Sequence, residues 1–185
     1  MKNKLIDEAN PWKTNSSREI YSNPWIKVRE DKVTTPANTD GIYSVVEFQN
    51  SAVGIVPLDS AGYTWLVGQW RYPLQEYSWE IIEGGCPINE EPLDCAIREL
   101  KEEAGLVAQN YQEILNMSLS NSSTDDRATV YLATDIEIGE AEPEETEDLK
   151  LIRLPLSEAI EYAMTGKIHD AISVAALLKL KILGY

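Results

Sequence analysis

The sequence predicts a mixed α/β sandwich with a small N-terminal antiparallel β extension. Three observations lead there. Short β-type runs stand on both sides of one well-marked helix at 92–104. Two further helical stretches, 157–165 and 170–182, close the chain. The chain has 185 residues, 43% of them hydrophobic, enough to bury a real core in one domain.

Taken in order, residues 1–17 are polar around Trp12 and read as an arm or frayed terminus. β-type runs follow at 19–21 and 25–33, then a connection at 34–41 marked by Pro36, Asn38 and Gly41. Residues 42–49 make a further strand, with Tyr43, Val45 and Phe48 expected to face inward. Residues 1–48 thus form an arm with its own strands, and 49–185 the main domain. There, strands at 52–58 and 63–71 flank the turn Asp59-Ser60-Ala61-Gly62. A short strand at 79–82 feeds the loop Glu83-Gly84-Gly85. After the helix come strands at 112–119 and 127–134, joined by the turn-rich 120–126. Residues 137–147 are acidic, contain Gly139 and Pro143, and read as a mobile loop before a strand at 148–154. Gly166 closes the helix at 157–165, and 170–182 is the last, amphipathic helix.

The helix at 92–104 carries the chemistry. Pro92 suits the first helical position, where its missing N–H costs nothing. Leu93, Ala96, Ile97, Leu100 and Ala104 recur at helical spacing and predict one apolar face. Gly105 stops the helix. Glu99, Glu102 and Glu103 fall within an arc of about 100° away from that face, where like charges repel. A hard divalent cation, Mg²⁺ or Mn²⁺, would offset that repulsion through oxygen ligands. Gly84 and Gly85 bring unencumbered backbone carbonyls to the same place. A solvated acidic helix face is the alternative.

Composition narrows the partners. A net charge of −15 disfavours non-specific nucleic-acid binding. An acidic site handling an anionic substrate must recruit cations. The single histidine, His169, excludes multi-histidine metal sites and leaves a histidine-based nucleophilic scheme only if His169 itself serves; a structural role is expected. Cys86 and Cys95 match no zinc spacing, and reduced thiols are expected. No apolar run reaches membrane length and no signal-like start is present, so a cytoplasmic location is expected.

The full pattern is more specific. Gly84, Glu90 and then Arg98-Glu99-Leu100-Lys101-Glu102-Glu103-Ala104-Gly105-Leu106 resemble the Nudix box, the signature of hydrolases of nucleoside diphosphates linked to another moiety. Trp79-Glu80-Ile81-Ile82-Glu83-Gly84-Gly85 is similar to the strand-to-loop entry of ADP-ribose pyrophosphatases and nucleoside diphosphate sugar hydrolases. The last helix, from Gly166 to Leu177, resembles theirs too and is expected to pack rather than react.

The resemblance implies an α/β/α sandwich, a mixed sheet between helices, and a metal-dependent pyrophosphohydrolase with two or three Mg²⁺ (or Mn²⁺) ions. Glu99, Glu103, Glu147 and the Glu83 carbonyl would be metal ligands. Glu145 would be the base, with Glu142 and Glu144 able to substitute. Glu102 would support a ligand or metal-bound water, and Arg98 would orient the box carboxylates. Glu90 could brace the loop. Arg71, Gly85 and Trp25 would contact substrate, Trp25 by stacking on the base; a core position is the other reading for Trp25. The resemblance also implies a homodimer built through the N-terminal strands. Ile82 and Glu83 replace the usual proline and alanine, which points to the Glu83 carbonyl rather than its side chain. A downstream proline common in ADP-ribose pyrophosphatases is missing from 120–126, which favours a broader NDP-sugar preference. An enzyme acting on RNA caps or dinucleotides, and a non-catalytic ADP-ribose-type sensor, are the rival readings.

Overall fold

A computed structural model describes residues 8–139 and 149–185. The chain divides into two compact units, Met1–Gln49 with Ser120–Asp125, and Asn50–Leu119 with Asp126–Tyr185.

The first unit is a three-stranded antiparallel sheet in the order β1 (Lys13–Ser22), β2 (Ile26–Thr34), β3 (Asp40–Phe48). β1 begins inside the stretch expected to be a frayed arm. It pairs with β2 from Lys13↔Thr34 to Ser22↔Lys27. Every residue of β1 is exposed, so the strand carries no hydrophobic alternation that a sequence could display. Tyr43 and Val45 are half-buried as expected, but Phe48 is exposed and does not face inward. The segment Ser120–Asp125 folds with this sheet. The Tyr43 hydroxyl donates to the Ser122 carbonyl at 2.6 Å, and the Asp125 carboxylate accepts the Phe48 N–H at 2.8 Å.

The second unit contains β4 (Asn50–Leu58), β5 (Tyr63–Arg71), β6 (Glu76–Glu80), β7 (Ile82–Pro87), α1 (Pro92–Ala104), β8 (Leu106–Ser118), β9 (Arg127–Ile138), β10 (Lys150–Pro155), α2 (Leu156–Thr165) and α3 (Ala171–Leu183). Its mixed sheet runs β10-β5-β4-β9-β8, with β6 added on β5 and β7 on β4. Among the described residues of this sheet, only β4 and β9 run parallel. Period-two alternation along the central strands builds two cores. Val56, Leu66, Val130 and Leu132 pack with α2 and α3. Val53, Ile55, Trp65, Val67, Tyr131 and Ala133 pack with α1. This is the mixed sheet between helices that the resemblance implies.

β8 starts at Leu106, directly after the helix cap, rather than at 112, because its early residues Val107, Ala108 and Asn110 pair with β9 while facing solvent or half-facing it. Asp59 closes the β4–β5 turn by accepting the N–H groups of Ala61 and Tyr63 at 2.8 and 3.0 Å. Desolvation pushes its carboxyl up, but these bonds and Arg153 outweigh it, and the net shift is downward.

One split in the sheet creates the site. β4 and β5 pair only at Leu58↔Thr64 and then part. β6 follows β5 as far as Val67↔Glu80, and β7 follows β4 from Ile55↔Ile82 to Asn50↔Pro87. The chain therefore changes partner at Ile81, the single residue between β6 and β7. The stretch Glu83-Gly84-Gly85, expected to be a loop, is strand. Its glycines have low strand propensity, and the ladder with β4 overrides that preference.

Candidate active site

Helix α1 packs against β7, and the expected charge pattern rides on it. Pro92 opens the helix, and Gly105 closes it at φ 62° with its N–H on the Leu100 and Lys101 carbonyls. The buried face differs from the expected one. Leu93 and Ile97 are 40% and 43% exposed, while Cys95, Ala96, Leu100, Glu103 and Ala104 are buried. Small side chains at 95 and 96 let the helix lie close to the sheet, which turns Leu93 and Ile97 outward. The expectation of reduced thiols also fails. Cys86 on β7 and Cys95 on α1 are joined by a disulfide, their Cα atoms 5.6 Å apart, within the ordinary range for such a bond. Strand and helix meet there, and both residues are fully buried.

Above the disulfide, Gly84 lies against Glu99. A Cβ at Gly84 would overlap the Glu99 carboxyl, so only glycine lets the helix carboxylate reach the strand backbone. Arg98 gathers the rest. It donates to Glu99 at 2.7 Å, to Glu102 at 2.8 Å and to the Gly85 carbonyl at 3.2 Å, and stands 3.6 Å from Glu90. Glu90 thus braces the segment through Arg98. Burial pulls the Arg98 guanidinium down, but its bonds to Glu102 and Glu99 dominate and hold it further protonated than usual. Asn50, Glu83, Gly84, Gly85, Arg98, Glu99, Glu102 and Glu103 line a cavity of about 340 Å³.

The donor set fits a hard divalent cation. It consists of carboxylate and carbonyl oxygens, with no sulfur or imidazole ligand facing the cavity. Among the described residues, no three acidic, histidine or cysteine side chains already converge on one coordination point. Arg98 holds Glu99 and Glu102 instead, so an arriving cation must share them with its guanidinium.

On the other side of β7 the Glu83 side chain points inward. It accepts the Ser173 hydroxyl at 2.9 Å and bonds to the Asp170 carboxylate. Desolvation first, then the Asp170 charge and that hydrogen bond, then Glu80, push the Glu83 carboxyl well above the usual carboxylate range. Burial and the neighbouring Asp170 thus favour the neutral form of Glu83. Beside it, Arg71 is paired with buried Glu80, with Nε 3.0 Å from one oxygen. The bond to Glu80 raises the Arg71 pKa further, against the cost of burial. Arg71, Ser78, Glu80, His169 and Asp170 line a second cavity of about 330 Å³. His169 pairs with Glu76 at 2.9 Å at its exposed edge.

The structure thus brings Glu83, Gly85, Arg98, Glu99, Glu102 and Glu103 around one cavity and sets Arg71 at the mouth of another. Trp25 is 69% exposed, which rules out the core reading. Glu142, Glu144, Glu145 and Glu147 lie outside the described residues. Sequence reasoning missed Ser173, Asp170 and Glu80. The signal for the first two was present: Asp170 three residues before Ser173 is N-cap spacing, and Asp170 does accept the Ser173 N–H at 2.8 Å.

Comparison with known proteins places the chain. Residues 12–46 match the nucleoside diphosphate sugar hydrolase N-terminal domain, and residues 49–175 match the NUDIX domain. An ADP-ribose pyrophosphatase of Mycobacterium tuberculosis is 31% identical over 90% of this chain and 82% of its own length. A methanol dehydrogenase activator of Bacillus methanolicus is 28% identical over 97% and 95%, and an ADP-ribose pyrophosphatase of Bacillus subtilis 27% over 92% and 92%. A crystal structure of an ADP compounds hydrolase shares the fold at a TM-score of 0.85, with 20% identity over 96% of each chain.

Proposed function

The chain belongs to the Nudix family, and from that premise we propose that it hydrolyses the diphosphate of nucleoside diphosphate sugars, ADP-ribose among them, to a nucleoside monophosphate and a sugar phosphate. One observation carries the reading: the Glu99 carboxyl is seated against the bare backbone of Gly84, with Glu102 and Glu103 on the same cavity.

Glu99, Glu103, Glu147 and the Glu83 carbonyl would hold two or three Mg²⁺ or Mn²⁺ ions. Such ions would supply positive charge to the diphosphate and lower the pKa of water there. Arg98 keeps Glu99 and Glu102 oriented and, through the Gly85 carbonyl, fixes the helix against β7. Glu102 supports the ligands from the side. Glu145 takes a proton from the attacking water. Arg71 offers the diphosphate or the distal sugar a guanidinium already aligned by Glu80. Gly85 allows substrate to approach the backbone, and Trp25 stacks on the base.

A homodimer fits the first unit. β1 is an edge strand, and Trp12, Ile20 and Tyr21 are 40%, 51% and 54% exposed. A monomer mass in sedimentation at micromolar concentration would remove this part of the reading. Among the described residues no helix is long and apolar enough to cross a membrane. We assign the reaction to the cytoplasm, where nucleotide sugars are used.

A panel of ADP-ribose, GDP-mannose, UDP-glucose, a dinucleotide and a capped RNA, each with Mg²⁺ and product identification, tests the proposal. NDP-sugar turnover to two monophosphates is expected, with a kcat lower by about 10²–10⁴-fold in Glu145→Gln. Turnover of the cap or dinucleotide alone moves the substrate class. Tight ADP-ribose binding with no turnover replaces enzyme by sensor.

A further inference from the structure

The partner change at Ile81 leaves a backbone group to be accounted for. Ile81 lies between the last β5–β6 pair, Val67↔Glu80, and the first β4–β7 pair, Ile55↔Ile82. It is 1% exposed, so its N–H cannot turn to water. The N–H donates instead to the Ser173 Oγ at 2.9 Å. The same Oγ donates its own proton to Glu83 Oε1, also at 2.9 Å. Ser173 is fully buried on the first turn of α3, and its backbone N–H is held by Asp170.

One hydroxyl from the C-terminal helix therefore fixes two points of the strand, one immediately before β7 and one inside it. The residues that follow are the ones that face α1. Gly84 touches Glu99, and the Gly85 carbonyl accepts from Arg98. Released from Ser173, residues 81–83 lose two hydrogen bonds that hold the strand just ahead of the residues facing the helix carboxylates.

We propose that Ser173 is a positioning residue for the cation site: it holds the β6–β7 junction so that the strand carbonyls and Glu99 meet. This rests on the hydrolase reading above and assigns α3 a part beyond packing. Ser173 touches neither substrate nor the reacting atoms; it acts through Glu83.

Ser173→Ala and Ser173→Thr test it, with Mn²⁺ titrated by electron paramagnetic resonance without substrate, alongside kcat, KM and melting temperature. Ser173→Ala is expected to weaken Mn²⁺ binding about 10-fold or more, within the range for groups that orient ligands, and to lower kcat with little change in KM. Ser173→Thr, which keeps the hydroxyl, is expected to restore both. Wild-type Mn²⁺ affinity in a folded Ser173→Ala protein overturns the proposal. So does a Thr variant that binds Mn²⁺ as weakly as the Ala variant while melting like the wild type. If the Ala variant does not fold, Ser173→Cys fills the space with a weak hydrogen-bonding group, and wild-type Mn²⁺ affinity there is equally fatal. Failure of the hydrolase reading shows separately, as no NDP-sugar turnover by the wild-type enzyme.

Discussion

The two sides of β7 use the same residue types to opposite ends. Facing α1, Arg98 meets Glu90, Glu99 and Glu102, whose side chains are 31%, 12% and 33% exposed. Solvent and the Arg98 guanidinium surround these carboxylates. Facing α3, Glu83 meets Asp170, Ser173 and Glu80 away from solvent, where burial disfavours its charged form. Both groups contain an arginine, but Arg71 is engaged by buried Glu80. What separates the two groups here is solvation, not residue identity.

Substitutions on the two sides should therefore fail in different ways. The largest effect is expected from Glu103→Gln on the α1 side. Loss of one ligand charge should lower kcat by about 10³-fold, a few kcal/mol of transition-state stabilisation, while thermal melting stays near wild type. Near-normal turnover at saturating Mg²⁺ would end its role as ligand. Arg98→Lys should come next. A lysine cannot span Glu99, Glu102 and the Gly85 carbonyl together, so the Mg²⁺ concentration for half-maximal activity should rise about 10–100-fold. An unchanged Mg²⁺ dependence would reduce the Arg98 contacts to surface ion pairs.

Glu83→Gln, on the α3 side, should be the mildest in activity, because the backbone carbonyl remains and an amide keeps the shape without the charge that burial disfavours. Its signature is in stability. The native carboxyl holds its proton more tightly than the unfolded one, whose pKa is about 4.3. The stabilisation linked to that proton is complete below this value and is lost as pH rises through the native pKa. Urea midpoints of wild type and variant should therefore separate as pH rises, the variant gaining. Parallel midpoints across that range would mean Glu83 is charged in the native state.

The helix at the centre was legible because its punctuation is local: Pro92 at the start, Gly105 at the end and charges at fixed spacing. Most strands of the second unit were legible for the same reason, since alternation is written in adjacent residues. β1 was not, because a strand exposed along its whole length leaves no pattern. β7 was not, because its glycines are held in the sheet by β4, some thirty residues away in the chain. Ser173 looked like packing because its partners, Ile81 and Glu83, are about ninety residues distant. The disulfide was missed for want of geometry: two cysteines nine apart say nothing until strand and helix are seen to face each other.

That bridge has a further consequence for the segment it encloses. Ile88, between the two sulfurs in sequence, is 74% exposed, in the kind of surface turn where proteases cut. A chain severed there stays covalently whole. The strand with its glycines and the helix with its glutamates remain tethered across the break, so the continuity of the site depends on sulfur rather than on the peptide backbone.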